Sequence, residues 1–316
     1  MRCRTAAAFV VAATILGCNS ASTQSTSTTT APAHSRIEIS PLEGRPSAVA
    51  VGAGAVWVAD DERGVVLRLD ERSGKQFGPP IAVSPHPIAI DVSDSKVWVA
   101  DRAGTVTRID AASGTVTDPP IELGGHLVDL IVDGTDVWVS DIETSTVHLL
   151  DAATGAVGPQ VQVAQGVVRL AAGPSGVWVT NRDHTATLVD RATHAAGPLI
   201  EVGAGPIGVT VAQGAAWIAA ADDGTVRRIG ADDGRAIGPA INVGGAPISV
   251  VVSGNDAWVV QQDARAVSRI DVLAGVVVES GVDLHMRPRD AALSSAGTWV
   301  VGIDPSSAVL ITKPGA

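Results

Sequence analysis

The stretch "GVWVTN", residues 176–181, decides how the rest of the chain is read. In 316 residues with no tyrosine and seven tryptophans, the phrase returns as "VWVAD" at 56–60 and 97–101 and as "VWVSD" at 137–141. It drifts to "AWIAA" at 216–220, "AWVVQ" at 257–261 and "TWVVG" at 298–302. The tryptophans stand at Trp57, Trp98, Trp138, Trp178, Trp217, Trp258 and Trp299, 39 to 41 residues apart, so each unit uses one. Val, Ile and Trp on both faces of a short run describe a strand covered on both sides rather than one half exposed to water.

Aligned on tryptophan, the second unit separates into "PIAIDV", "KVWVAD", "GTVTRID" and, after the turn "AASG", the segment "TVTDPPIEL". Four strands in about 40 residues is the size of a β-propeller blade. The last unit stops after three strands. Its missing outer strand is supplied by "RIEIS" at 36–40, which matches "IEL" at 121–123 and "IEV" at 200–202. Such closure removes the free β edges that an open array would leave. The chain therefore reads as all-β, with one seven-bladed propeller over 36–316 closed by an N-terminal outer strand in the last blade.

Trp178-Val179-Thr180-Asn181 resembles the tetrapeptide that names the YVTN-type β-propeller repeats, with Trp in place of the first Tyr. The resemblance covers about residues 37–316. It implies the fold and says little of function, because such rings host many activities.

Composition agrees: 46% of residues are hydrophobic and 17% charged, a mixture suited to packed β structure. A net charge of −11 argues against nucleic acid as a partner. Ahead of the repeats, Arg2 and Arg4 precede an apolar run from Ala6 to Leu16 that is too short to span a bilayer and reads as an export signal. Its end, Ile15-Leu16-Gly17-Cys18, resembles the lipobox of bacterial lipoproteins. That resemblance implies cleavage after residue 17 and a lipid, palmitate among the acyl chains, on Cys18. An ordinary signal with an incidental cysteine is the alternative. Cys3 leaves with the signal, so the mature chain forms no internal disulfide. Residues 18–35 comprise Cys18 and "NSASTQSTSTTTAPAHS", which reads as a Ser/Thr-rich tether on the order of 20 to 25 Å in reach. The expected address is the extracytoplasmic side of the cell membrane.

The recurring acids Asp70, Asp110, Asp151, Asp190 and Asp271 precede turn glycines, a spacing that suits hairpin turns rather than chemistry. "GAGPIG" at 203–208 satisfies a dinucleotide fingerprint only formally, because it holds a proline and leads into a strand instead of a helix. No familiar protease, hydrolase, phosphate-loop or zinc motif occurs, and no catalytic residue is assigned.

What remains is topology. The loop leading into each first strand and the loop joining strands two and three open on one face. Before blades five and six the leading loops are bare, "GAGP" and "GGAP". Elsewhere "SPHP" brings His86, "GGHLVD" brings His126 and Asp129, "QGVVR" brings Arg169, and "LHMRPRD" brings His285, Arg287, Arg289 and Asp290. "NRDH" in blade four adds Asn181 and His184. These ten residues are the candidate ligand-binding set; solvated loop polarity is the plainer reading. His148 and His194 fall in a third strand and an outer turn and read as structural.

Three functions compete. The first is a lipid-anchored module that binds an envelope protein, a glycan or a small ligand without a cofactor. The second rests on a distant similarity to streptogramin lyases and to sugar-lactone hydrolases of related shape, which implies a divalent metal. His285 or His126 would then be the base, and Asp129, Asn181 and Asp290 the metal oxygens. The third is an envelope assembly scaffold, akin to propeller lipoproteins that organise other membrane proteins.

Overall fold

The computed structural model describes residues 35–93 and 95–313; the signal, Cys18 and nearly all of the tether lie outside them. Among the described residues there is no helix. Seven antiparallel sheets follow one another in a ring, each taking up one tryptophan unit. The inner strands are Pro46–Gly52, Pro87–Val92, Leu127–Asp133, Val167–Ala172, Pro206–Ala212, Pro247–Ser253 and Arg287–Leu293. Blades are numbered one to seven in that order.

The second strands, Gly176–Asn181 among them, are the most buried elements, and in blades one, four, five and six every residue of that strand is buried. All seven indoles are 2% exposed or less. Each packs toward the following blade: Trp98 lies with Val137 and Val139, Trp138 with Val177 and Val179, and Trp299 with Val56 and Val58 across the junction of the ring. An indole removes on the order of 200 Å² from water, about 5 kcal/mol before entropy, so these contacts dominate the adhesion between blades. In blades one, two, five and six the cross-strand partner of the tryptophan is an arginine, and its guanidinium lies over the ring at 5.3 to 5.8 Å.

Closure is as the repeat requires. Arg36–Pro41 pairs antiparallel with the third strand of blade seven, Ser307–Thr312, in register from Arg36 opposite Thr312 to Pro41 opposite Ser307. The Trp299 indole N–H donates to the Glu71 carbonyl of blade one at 3.3 Å, a second bond across the same junction.

The outer strands differ from the continuous fourth strands expected. In blades one, two, four and five the outer strand is interrupted: a two-residue segment such as Ile81–Ala82 or Ile121–Glu122 follows an isolated bridge or, in blade two, the separate pair Thr115–Val116. Each follows a Pro-containing segment such as "DPP", and proline has no N–H to give the ladder. Val276–Asp283 of blade six has no proline and runs for eight residues. At the hairpins before these strands the recurring acids form turns: Asp110 accepts the Ser113 amide at 2.7 Å, and Gly114 takes φ +69°.

Candidate functional site

One register recurs on the inner strands. Just after each begins, a β-bulge interrupts its pairing with the second strand, between Pro87 and Ala89 in blade two for example. The bulged residues are Ser47, Ile88, Val128, Val168, Ile207, Ile248 and Arg289, and all seven line one cavity of about 570 Å³ at the mouth of the central channel. Five aliphatic side chains make its floor, and Arg289 interrupts them.

The wall comes from paired loops. In blades one to six the carbonyl of the residue before the inner strand accepts the amide that follows the second strand, as with His86 from Arg102 at 3.3 Å, His126 from Ile142 at 3.0 Å, Gly166 from Arg182 at 2.9 Å and Ala246 from Gln262 at 3.0 Å. The aspartates ending the second strands fix these loops, Asp141 accepting the His126 amide at 3.0 Å and the Glu143 amide at 2.9 Å. Arg102, His126 and Arg182 thereby face the cavity.

One residue deeper than the floor, three inner strands carry charge. The Arg169 guanidinium lies 3.1 Å from Asp129 and 3.5 Å from Asp290. Arg169 lines both the funnel and a second cavity of about 370 Å³ further along the channel, so this ion-pair layer divides the two. Burial raises the Asp129 carboxyl, and Arg169 only partly opposes this. Burial works against the Arg169 charge, yet Asp290 and Asp129 together hold its pKa above the usual arginine value. On the far side of the layer Asp91 is pushed up to about 6, chiefly by burial.

The three acids share a second task. Asp91 accepts the Val132 amide at 2.7 Å, Asp129 the Leu170 amide at 2.7 Å and Asp290 the Val49 amide at 3.1 Å. In each case the amide belongs to the inner strand of the next blade. Inner strands present an unpaired edge to the channel, and these carboxylates satisfy its N–H groups.

The structure thus divides the ten sequence candidates. His126, Arg169 and Arg289 line the funnel. Asp129, Arg169 and Asp290 are not loop residues: all three lie within inner strands, past the bulge, where the β period turns them into the channel. Asn181 is fully buried at the end of its strand, with Nδ2 3.3 Å from the Thr185 hydroxyl, a turn position equivalent to Asp101 and Asp141. His184 is exposed at φ +73° and does not line the cavity. His86 and His285 are about two-thirds exposed and bind neighbouring acids, Asp61 at 3.2 Å and Asp283 at 3.1 Å. Arg287 reaches Gln262 at 3.3 Å. His148 is buried near Asp141, and His194 lies edge-on to Trp138 at 5.8 Å. Sequence reading missed Arg102, Arg182 and the aliphatic floor. The position after each second strand was the signal that would have found the arginines.

The oxygens that the lyase-like expectation assigns to a divalent ion do not converge. Asp129 and Asp290 are taken by Arg169 and by amides, and Asn181, whose Oδ1 is buried without a partner, lines neither channel cavity. Among the described residues no three His, Cys, Asp or Glu side chains are placed to hold a metal.

No family model and no curated protein matches this chain. Solved structures do. A streptogramin B lyase superposes with a TM-score of 0.75 at 15% identity over 88% of this chain and 98% of its own. A catalytically inactive histidine-to-alanine virginiamycin B lyase from Staphylococcus aureus with quinupristin gives 0.75 at 14%, over 89% and 100%. Hydrazine synthase from Kuenenia stuttgartiensis gives 0.73 at 12%, over 87% and 98%. At these identities the likeness is one of fold, the seven-bladed ring itself.

Proposed function

We propose that this chain is an exported, lipid-anchored binding module of the cell envelope, held through Cys18, whose propeller takes a small molecule into the funnel. The observation that carries the reading is the funnel's form. It is a cavity of about 570 Å³ with an aliphatic floor, bounded on its inner side by the Arg169 ion pairs and flanked by polar groups at the wall. Small-molecule sites have this size, and the lining joins an apolar floor to polar groups that could orient a ligand, though it is more polar than most such sites. The lipobox-like "ILGC" and the Ser/Thr tract support the envelope address.

The test is a thermal-shift screen of neutral and charged small molecules on the propeller and on variants whose floor is filled, Val168→Trp and Ile207→Trp. A ligand at 100 times its Kd stabilises by about 2.7 kcal/mol, which a melting curve resolves. Hits should shift the wild type and fail to shift variants that retain a cooperative transition. Hits indifferent to both fillings would overturn the reading, as would a protein partner recovered on this face with no small-molecule hit. Consumption of a hit, abolished by His126→Ala, would replace it with the enzyme reading, since His126 is the histidine that lines the funnel.

A further inference from the structure

We infer that the funnel recognises an oxyanion, a carboxylate or a phosphate monoester, carried on a ligand whose remaining body is apolar. This rests on the small-molecule reading above and names the chemistry that the site selects.

Cations are scarce in this chain, 22 Lys and Arg against 33 Asp and Glu, and several of those outside the funnel are engaged by other side chains. Arg108 pairs with Asp118, Arg191 with Asp133 and Arg269 with Asp256, while Arg68 and Arg228 lie over tryptophans. At the funnel Arg102, Arg182 and Arg289 line the wall and floor. Among the described residues no carboxylate lies within ion-pair distance of Arg45, Arg102, Arg182 or Arg289. Asp61, the acid whose charge reaches Arg289, is engaged by His86 at 3.2 Å. Arg289 is held below the usual arginine value by burial first, then by the charges of Arg45, Arg102 and Arg287.

Arg45, Arg102, Arg182 and Arg287 are exposed and hydrated, whereas Arg289 is half-buried among the floor residues, where water answers its charge less well. An oxyanion answers it by accepting paired N–H groups from a guanidinium fork. Arg289 stands in the same ring as Ile88, Val128 and Ile207, so a head group bound there leaves the apolar body on the floor.

The experiment is calorimetric titration of the propeller with octanoate, octyl phosphate and octanol, at low and high salt, repeated on Arg289→Gln, Arg102→Gln and the double variant. One or both anions should bind at least about tenfold tighter than octanol, roughly 1.4 kcal/mol. Added salt should narrow the difference, and the double variant should reduce it to about twofold or less. The tighter anion identifies the source as carboxylate or phosphate. Octanol binding as tightly as both anions overturns the inference and leaves the small-molecule reading intact. A preference that survives in the double variant overturns the arginine site. Failure of all three probes to bind overturns it too; the screen with the filled-floor variants then decides separately whether the funnel binds at all.

Discussion

On one side of the Arg169 layer the channel is acidic and on the other it is basic, and the two sides handle charge in opposite ways. Asp91, Asp129 and Asp290 each accept an amide from the next blade's inner strand, and Arg169 ties two of them together. Arg102, Arg182 and Arg289, in the funnel, have no carboxylate partner among the described residues. Buried charge with every bond answered holds the ring in register. Charge left unanswered beside an apolar floor is available to a ligand. Polarity alone would have placed both sets in one site.

The largest expected effect tests the structural side. Arg169→Ala leaves two buried carboxylates without their cation, a change that costs about 3 to 5 kcal/mol. Urea unfolding of the two proteins measures it. A loss under about 1 kcal/mol would mean that the layer is not what holds this part of the channel, and the contrast would collapse.

Next comes pH. Asp91 titrates near 6 in the folded chain against an ordinary 3.8, because burial disfavours its charge. Its contribution is therefore fully present below pH 3.8 and lost as pH rises through 6, about 3 kcal/mol in all. Asp141, Asp256 and Glu279 are lowered, although burial opposes it, so their contributions are lost only as pH falls below the ordinary carboxylate range. Melting wild type and Asp91→Asn between pH 4.5 and 7.5 isolates the group. The stability of wild type relative to the variant should decline as pH rises; a constant difference would show that Asp91 is not buried as described.

A smaller effect sharpens the comparison by separating location from satisfaction. Asp101 sits on the funnel side, yet its Oδ1 accepts the amides of Ala103 at 2.8 Å and Thr105 at 3.1 Å. Asp101→Ala should cost about 1 to 2 kcal/mol and leave ligand affinity within about twofold. A large loss of affinity with unchanged stability would put Asp101 in the site.

The ring was legible because its cause is local. One tryptophan strand in every 39 to 41 residues needs a neighbour on both faces, and "RIEIS" at 36–40 could close only the incomplete last blade. The site was half legible, for a physical reason. Departures from the repeat do mark one face, as His126 and Arg289 show, but a one-residue bulge decides which side chains turn inward. Reading "GGHLVD" as a loop left Asp129 on the mouth, when the inner strand begins at Leu127 and carries it into the channel. The apolar floor was invisible for the opposite reason: Ile88, Val168 and Ile207 look like ordinary core until the bulge points them at the cavity.

The smallest effect is the most discriminating in sign. Removing a structural arginine should destabilise, as at Arg169, whereas removing Arg289 relieves the repulsion from Arg45, Arg102 and Arg287 that acts on it now. Arg289→Gln keeps much of the side-chain volume and hydrogen-bonding capacity while deleting the charge. Its ligand-free stability should equal or exceed wild type by up to about 0.5 kcal/mol, and the gain should shrink as salt screens the cluster. Measured beside Arg169→Ala in the same denaturant series, a loss of several kcal/mol at both positions would mean that the funnel arginines are part of the scaffold after all. A gain at one and a loss at the other would assign the two sides of the layer to different tasks, one to holding seven blades together and one to meeting an anion.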